Sequence, residues 1–202
     1  MSLYCLVGLL QETQNNNFWS KKEEQIIDAM RLYLVGYMGC GKSTIGRKVA
    51  RFAHLRFVDT DSMIEQREGA TVADIITYRG EEYFRQVEHS VLESTAEQND
   101  IIVSTGGGLP IWGNNMELIG QLGLSIYLRR TPENIISRLS PYGRQKRPKF
   151  RGLNDEQLLA FMTSHMAERE PIYSQADVVI DCDKLSDNDI IDLIISRMKN
   201  LK

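Results

Sequence analysis

Gly36-Tyr37-Met38-Gly39-Cys40-Gly41-Lys42-Ser43-Thr44 carries the spacing G-x-x-x-x-G-K-S. The apolar run Leu32-Tyr33-Leu34-Val35 leads into it, and Ile45, Val49 and Phe52 follow at helical spacing. Strand, glycine loop and helix in that order predict a phosphate-binding loop. A triphosphate carries several negative charges that must be met without bulk. Glycines let successive backbone N–H groups turn toward one point, and the following helix adds the positive end of its dipole. In such a loop Gly39, Cys40, Gly41 and Thr44 supply backbone to the nucleotide. Lys42 reaches the β- and γ-phosphates, and the Ser43 hydroxyl ligates Mg²⁺. The loop does not say what receives the phosphate.

Outward from the loop, 202 residues suit one α/β domain. A net charge of −3 gives no footprint for nucleic acid or an anionic membrane. Cys5, Cys40 and Cys182 are odd in number and widely spread, so neither a disulfide framework nor a zinc site is expected, and a cytoplasmic setting fits. Residues 1–10 are apolar but too short to span a bilayer and lack the basic start of a signal peptide. Residues 1–29 read as an extension, with a short helix near 21–27, and the compact domain as 30–202.

Along the domain, Arg56-Phe57-Val58 is a brief strand ending in Asp59-Thr60-Asp61, two acids at the strand end where parallel sheets bind ligands. Asp61 or Ser62 is expected to cap a helix through residue 68. Residues 71–78 and 81–98 read as helices, the second with the stripe Phe84, Val87, Val91 and Leu92. Its Arg85 and Glu88 lie three apart on one face, a surface pair if taken alone.

Ile101-Ile102-Val103-Ser104 is a buried-type strand running into Thr105-Gly106-Gly107-Gly108, where backbone must approach something closely. A helix over 114–122, a strand over 124–128 and a helix over 132–139 capped by Thr131 come next. Residues 140–152 lack apolar periodicity, and six cations between Arg138 and Gly152 suit a mobile lid, about 140–154, over phosphates. A helix over 155–169 with Leu158, Leu159 and Met162 buried, broken by Pro171, precedes a strand over 177–180. A helix capped by Ser186 or Asp187 closes the chain. The alternation implies one parallel sheet with helices on both faces.

Six pieces in register resemble the shikimate kinase family over nearly all of the chain past residue 30. They are the loop Gly36 to Thr44, Asp59-Thr60-Asp61, Phe84-Arg85-x-x-Glu88, Gly106-Gly107-Gly108, Arg147-Pro148 and Arg169-x-Pro171-x-Tyr173. The resemblance implies a nucleoside-monophosphate-kinase-like fold with five strands in the order 2-3-1-4-5. It also implies ATP- and Mg²⁺-dependent phosphorylation of the 3-hydroxyl of shikimate, on the route to aromatic amino acids, by a monomer. Arg85 and Arg169 then hold the shikimate carboxylate, Glu88 orients Arg85, and Gly106, Gly107 and Gly108 line the ring. Asp61 faces the reacting hydroxyl, and Asp59 sits near Mg²⁺, directly or through water. Arg147 reaches the transferred phosphoryl group, and Arg138, or Arg144, stacks on adenine. Where the family usually has two leucines after Arg-Pro, this chain has Lys149-Phe150, which leaves the lid's packing open.

Overall fold

The computed structural model describes residues 30–145 and 147–199. The expected extension over 1–29, with its short helix, lies outside the described residues. Five parallel strands, β1 (Arg31–Val35), β2 (Arg56–Asp59), β3 (Ile101–Ser104), β4 (Leu124–Arg129) and β5 (Val178–Asp181), form one sheet in the order β2-β3-β1-β4-β5. The most apolar runs take the centre: Leu32 to Val35 of β1 and Ile101 to Val103 of β3 are wholly buried. Side chains enclosed on both faces suit a strand flanked by helices.

Between and after the strands lie α1 (Lys42–Phe52), α2 (Thr60–Glu68), α3 (Val72–Arg79), α4 (Glu81–Ser94), α5 (Asn115–Leu122), α6 (Pro132–Arg138), α7 (Pro141–Gln145), α8 (Asp155–Ala167), α9 (Glu170–Tyr173) and α10 (Asp187–Lys199). Because β2, β3 and β1 are neighbours, the chain leaving their C-terminal ends brings the glycine loop, Asp59 and the Thr105 to Gly108 turn together. Ser104 pairs with Leu34 on one side and Asp59 on the other. A smaller apolar cluster of Ile64, Ile75, Phe84, Val87 and Val91 binds α2, α3 and α4 into one layer, which sets the spacing between Asp61 and Arg85.

Four local expectations change, the smallest being Leu159, expected inside with Leu158 and Met162 but only half-buried. Phe52, placed on the buried stripe of α1, is 72% exposed. The helix stops there, the chain turns at Ala53 and His54 (φ 55), and Ala53 takes the inward place. α2 begins at Thr60, so Asp61 lies in its first turn and does not cap it; the preceding Asp59 makes no cap bond either, its carboxylate being held by Ser43. The stretch over 140–152, which shows no apolar periodicity in the sequence, contains α7 and a 3-10 turn at Pro148–Phe150. Pro141 suits a first helical turn, and the Ser140 hydroxyl accepts from the Gly143 N–H at 3.0 Å. Phe150 is buried, edge-on to Phe161 with centroids 6.4 Å apart, so the aromatic residue anchors the C-terminal foot of this stretch.

Gly123 joins α5 to β4, and a Cβ there would lie 2.3 Å from the Arg31 carbonyl oxygen. Backbone on backbone has no cheap escape. Gly123→Ala is expected to lower unfolding free energy by about 1–3 kcal/mol, read as a lower urea midpoint at unchanged slope.

Candidate active site

The glycine loop adopts its shape through left-handed backbone at Gly36 (φ 137), Gly39 (φ 88) and Gly41 (φ 105). Side chains other than glycine rarely take those angles. Gly41 is the N-cap of α1, which has neither a side-chain cap nor an acid in its first turn, so its free N–H groups and dipole face the cavity. Lys42 is buried and donates from Nζ to the carbonyls of Gly36 (2.7 Å) and Tyr37 (3.0 Å). Folded back on its own loop, the ammonium stands where phosphate oxygens would draw it out.

Ser43 Oγ donates to Asp59 Oδ2 at 2.8 Å and lies 3.0 Å from Ser104 Oγ. Hydroxyl and carboxylate oxygens are the hard donors that Mg²⁺ takes, two from protein and the rest from water and phosphate, so the set fits that ion. Asp61 lines the same cavity. The residue keeps an exposed face in that cavity while protein crowds its carboxyl on the other sides. That desolvation, then the Asp59 charge, pushes it up to about 6, with Lys42 and Arg85 pulling the other way.

Across the cavity, Arg85 donates to Glu88 Oε2 (2.6 Å) and Glu81 Oε1 (3.0 Å). Glu88 is 1% exposed, not a surface partner, and burial raises its carboxyl to about 7 against the pull of Arg85. The triple glycine is explained by close approach. A Cβ on Gly106 would lie 2.6 Å from Asp61 Oδ1, and one on Gly108 would lie 2.5 Å from Arg85 Nη1. Arg169 does not line the main cavity. It donates to the Gly107 carbonyl at 3.2 Å, beside the Tyr173 hydroxyl at 2.5 Å, so both side chains brace the turn.

Cations from the end of α6 onward line the remaining side. Arg147 lines the cavity and donates to the Gly143 carbonyl at 2.5 Å, and burial lowers its pKa. Arg138 also lines it and pairs with Asp187 at 3.1 Å, whereas Arg144 pairs with Asp155 outside the lining. Cys40 turns its buried thiol inward, 3.9 Å from Lys42 Nζ, and leaves only backbone for a ligand. The cavity measures about 1040 Å³ and holds Lys42, Ser43, Asp59, Asp61, Arg85 and Gly106 to Gly108 in one space.

The shikimate kinase family model matches residues 38–199. The chain belongs to the shikimate kinase family. Among its relatives, the shikimate kinase of Parabacteroides distasonis is 39% identical over 172 residues, covering 85% of this chain and 99% of that one. A crystal structure of shikimate kinase from Bacteroides thetaiotaomicron superposes with a TM-score of 0.76 at 36% identity, covering 85% of this chain and 97% of that one. The Acinetobacter baumannii shikimate kinase, solved in complex with shikimate, gives 0.77 at 30% identity over 89% and 99%.

For a shikimate kinase family chain, three contributors were missed from sequence. Thr60 Oγ1 accepts from the Gly106 N–H at 2.8 Å, tying the acid-bearing helix to the glycine turn. Its place between the two acids was the available signal. Ser104 meets Ser43 only through the strand register, which no local pattern gives. Tyr173 stood in a recognised segment, but its bond to Gly107 depends on how α9 docks.

Proposed function

We propose that this chain transfers the γ-phosphoryl group of ATP to the 3-hydroxyl of shikimate, giving shikimate 3-phosphate and ADP on the route to chorismate and the aromatic amino acids. The observation that carries this reading is the sharing of one cavity by the phosphate cradle, the Asp61 carboxylate and the Arg85 guanidinium. A small carboxylated triol needs a cation for its carboxylate and an acceptor at its reacting hydroxyl, and a cavity lined by both Arg85 and Asp61 supports that reading.

Lys42 and the N–H groups of residues 39 to 44 hold the phosphates, with Arg147 on the transferred group. Arg138 is the better placed arginine for adenine, since it borders the cavity and Arg144 does not. Ser43, with Asp59 directly or through water, would hold Mg²⁺, which supplies charge neutralisation on the phosphate oxygens. Arg85 takes the shikimate carboxylate, Glu88 keeps its fork aimed, and the glycine turn lies along the ring. Arg169, bonded to that turn, reaches the carboxylate if its bond to Gly107 is exchanged. Asp61 orients the attacking hydroxyl and accepts its proton as the O–P bond forms and the bond to ADP breaks. A loose transition state asks little activation of the nucleophile, so positioning and charge stabilisation carry most of the rate.

Residues 140–154 act as the lid over domain 30–202, hinged on buried Phe150. Among the described residues no helix is long and apolar enough to cross a membrane. The reading is of a cytoplasmic monomer with no nucleic-acid partner. Purified protein given ATP, Mg²⁺ and shikimate is expected to release ADP and form shikimate 3-phosphate. Turnover of gluconate or nucleoside monophosphates with none of shikimate would reject the acceptor.

A further inference from the structure

Arg130, the residue after β4, is 2% exposed although its side chain is a guanidinium. Among the described residues its hydrogen bonds end on three neutral oxygens: the Cys40 carbonyl at 3.0 Å, the Cys182 carbonyl at 2.8 Å and the Asn134 side chain at 2.9 Å. The nearby Asp183 carboxylate is engaged on the Thr131 N–H at 3.1 and 3.2 Å. A buried cation without a carboxylate pair is costly, and a fold retains one where its field or its donors are used.

Its first partner is inside the glycine loop. Cys40 C=O and Gly41 N–H belong to one peptide unit. The oxygen accepts from Arg130, and Gly41 borders the main cavity, which Arg130 itself does not. A charge-assisted bond to a peptide oxygen draws electron density from the nitrogen side and strengthens the N–H as a donor. It also fixes the plane of that peptide where the loop runs through left-handed backbone at Gly41.

We infer that Arg130 is a positioning residue for the nucleotide phosphates, acting from outside the cavity through the Cys40–Gly41 peptide. The inference rests on the loop being the nucleotide cradle proposed above. It predicts a loss confined to the nucleotide, because the Arg85 and glycine-turn side of the cavity shares none of these bonds.

The test uses the full chain with Arg130→Met and Arg130→Lys, titrated calorimetrically with ADP and, separately, with shikimate. Arg130→Met is expected to weaken ADP binding about tenfold, to raise the KM for ATP in step and to leave shikimate affinity within about twofold. Arg130→Lys, which keeps the charge and loses the fork, is expected to fall between. Equal ADP affinity in Arg130→Met and the parent chain overturns the inference, as does an equal loss for both ligands, which marks general loosening. Failure of both variants to fold makes Arg130 a clamp between strand ends, and the inference falls. No ADP binding by the parent chain rejects the cradle reading itself.

Discussion

Asp61→Asn is expected to lower kcat by about 10²–10⁴-fold while leaving the affinities for ATP and shikimate nearly unchanged. The amide keeps the size of the carboxylate and its hydrogen bond to the substrate hydroxyl, but it has no capacity to take the proton. The pH dependence separates this from a generic defect. A base works in its ionised form, and the Asp61 carboxyl is raised to about 6 by the crowded cleft and by Asp59. In the parent chain kcat/KM for shikimate should rise through that region and level off above it, and the variant should lose this limb.

Stability moves the opposite way. The unfolded carboxyl ionises near 3.8, and the folded one holds its proton to about 6. Over that window the unfolded chain binds fewer protons than the folded one, so stability falls as pH rises. Asp61→Asn removes that contribution, and denaturation at neutral pH should find the variant no less stable than the parent. Near-full turnover in Asp61→Asn would end the role assigned to Asp61.

The glycine loop and the strand-helix alternation were legible because each depends on residues near one another in sequence. Gly36, Gly39 and Gly41 sit where left-handed backbone is required, and such needs leave a local mark. The acids at the end of β2 and the triple glycine after β3 were legible as ligand-facing once the sheet was taken as parallel. Packing across distance was not. Periodicity put Phe52 inward, but it is the last residue of α1 and stays exposed while Ala53 takes the inward place. The stretch after α6 lacks periodicity because it is built from single turns, each too short to show one, and Phe150 is buried only because Phe161 of α8 stands opposite. Taken alone Glu88 read as half of a surface pair, and only the resemblance gave it the task of orienting Arg85, since nothing in its own helix announces the Gly106 backbone against it. Arg169 was assigned to the carboxylate by resemblance, and its bond to the Gly107 carbonyl follows from the docking of α9, which no local pattern records.

Arg85→Ala is expected to raise the KM for shikimate by about 10–100-fold with the KM for ATP unchanged. A guanidinium on a carboxylate makes charge-assisted bonds contributing about 1.5–3 kcal/mol each, and some of that loss is recovered by water in the open cleft. Removal also leaves Glu88, 1% exposed, without its cation. Burial already holds that carboxyl near 7, and without Arg85 it rises further, so Glu88 takes a proton at neutral pH and folding is not lost to an orphaned charge. Arg85→Lys keeps the charge but not the paired donors, and should recover only part of the affinity. A second route reaches the same contact without touching Arg85. In Gly108→Ala the new methyl carbon would fall 2.5 Å from Arg85 Nη1, at a backbone angle (φ −93) that alanine accepts, so the guanidinium must turn aside. If the acceptor's carboxylate is held by Arg85, both substitutions raise the shikimate KM and spare ATP. If Gly108→Ala leaves the shikimate KM untouched while Arg85→Ala raises both KM values together, the guanidinium is a brace for the site and the carboxylate is held elsewhere.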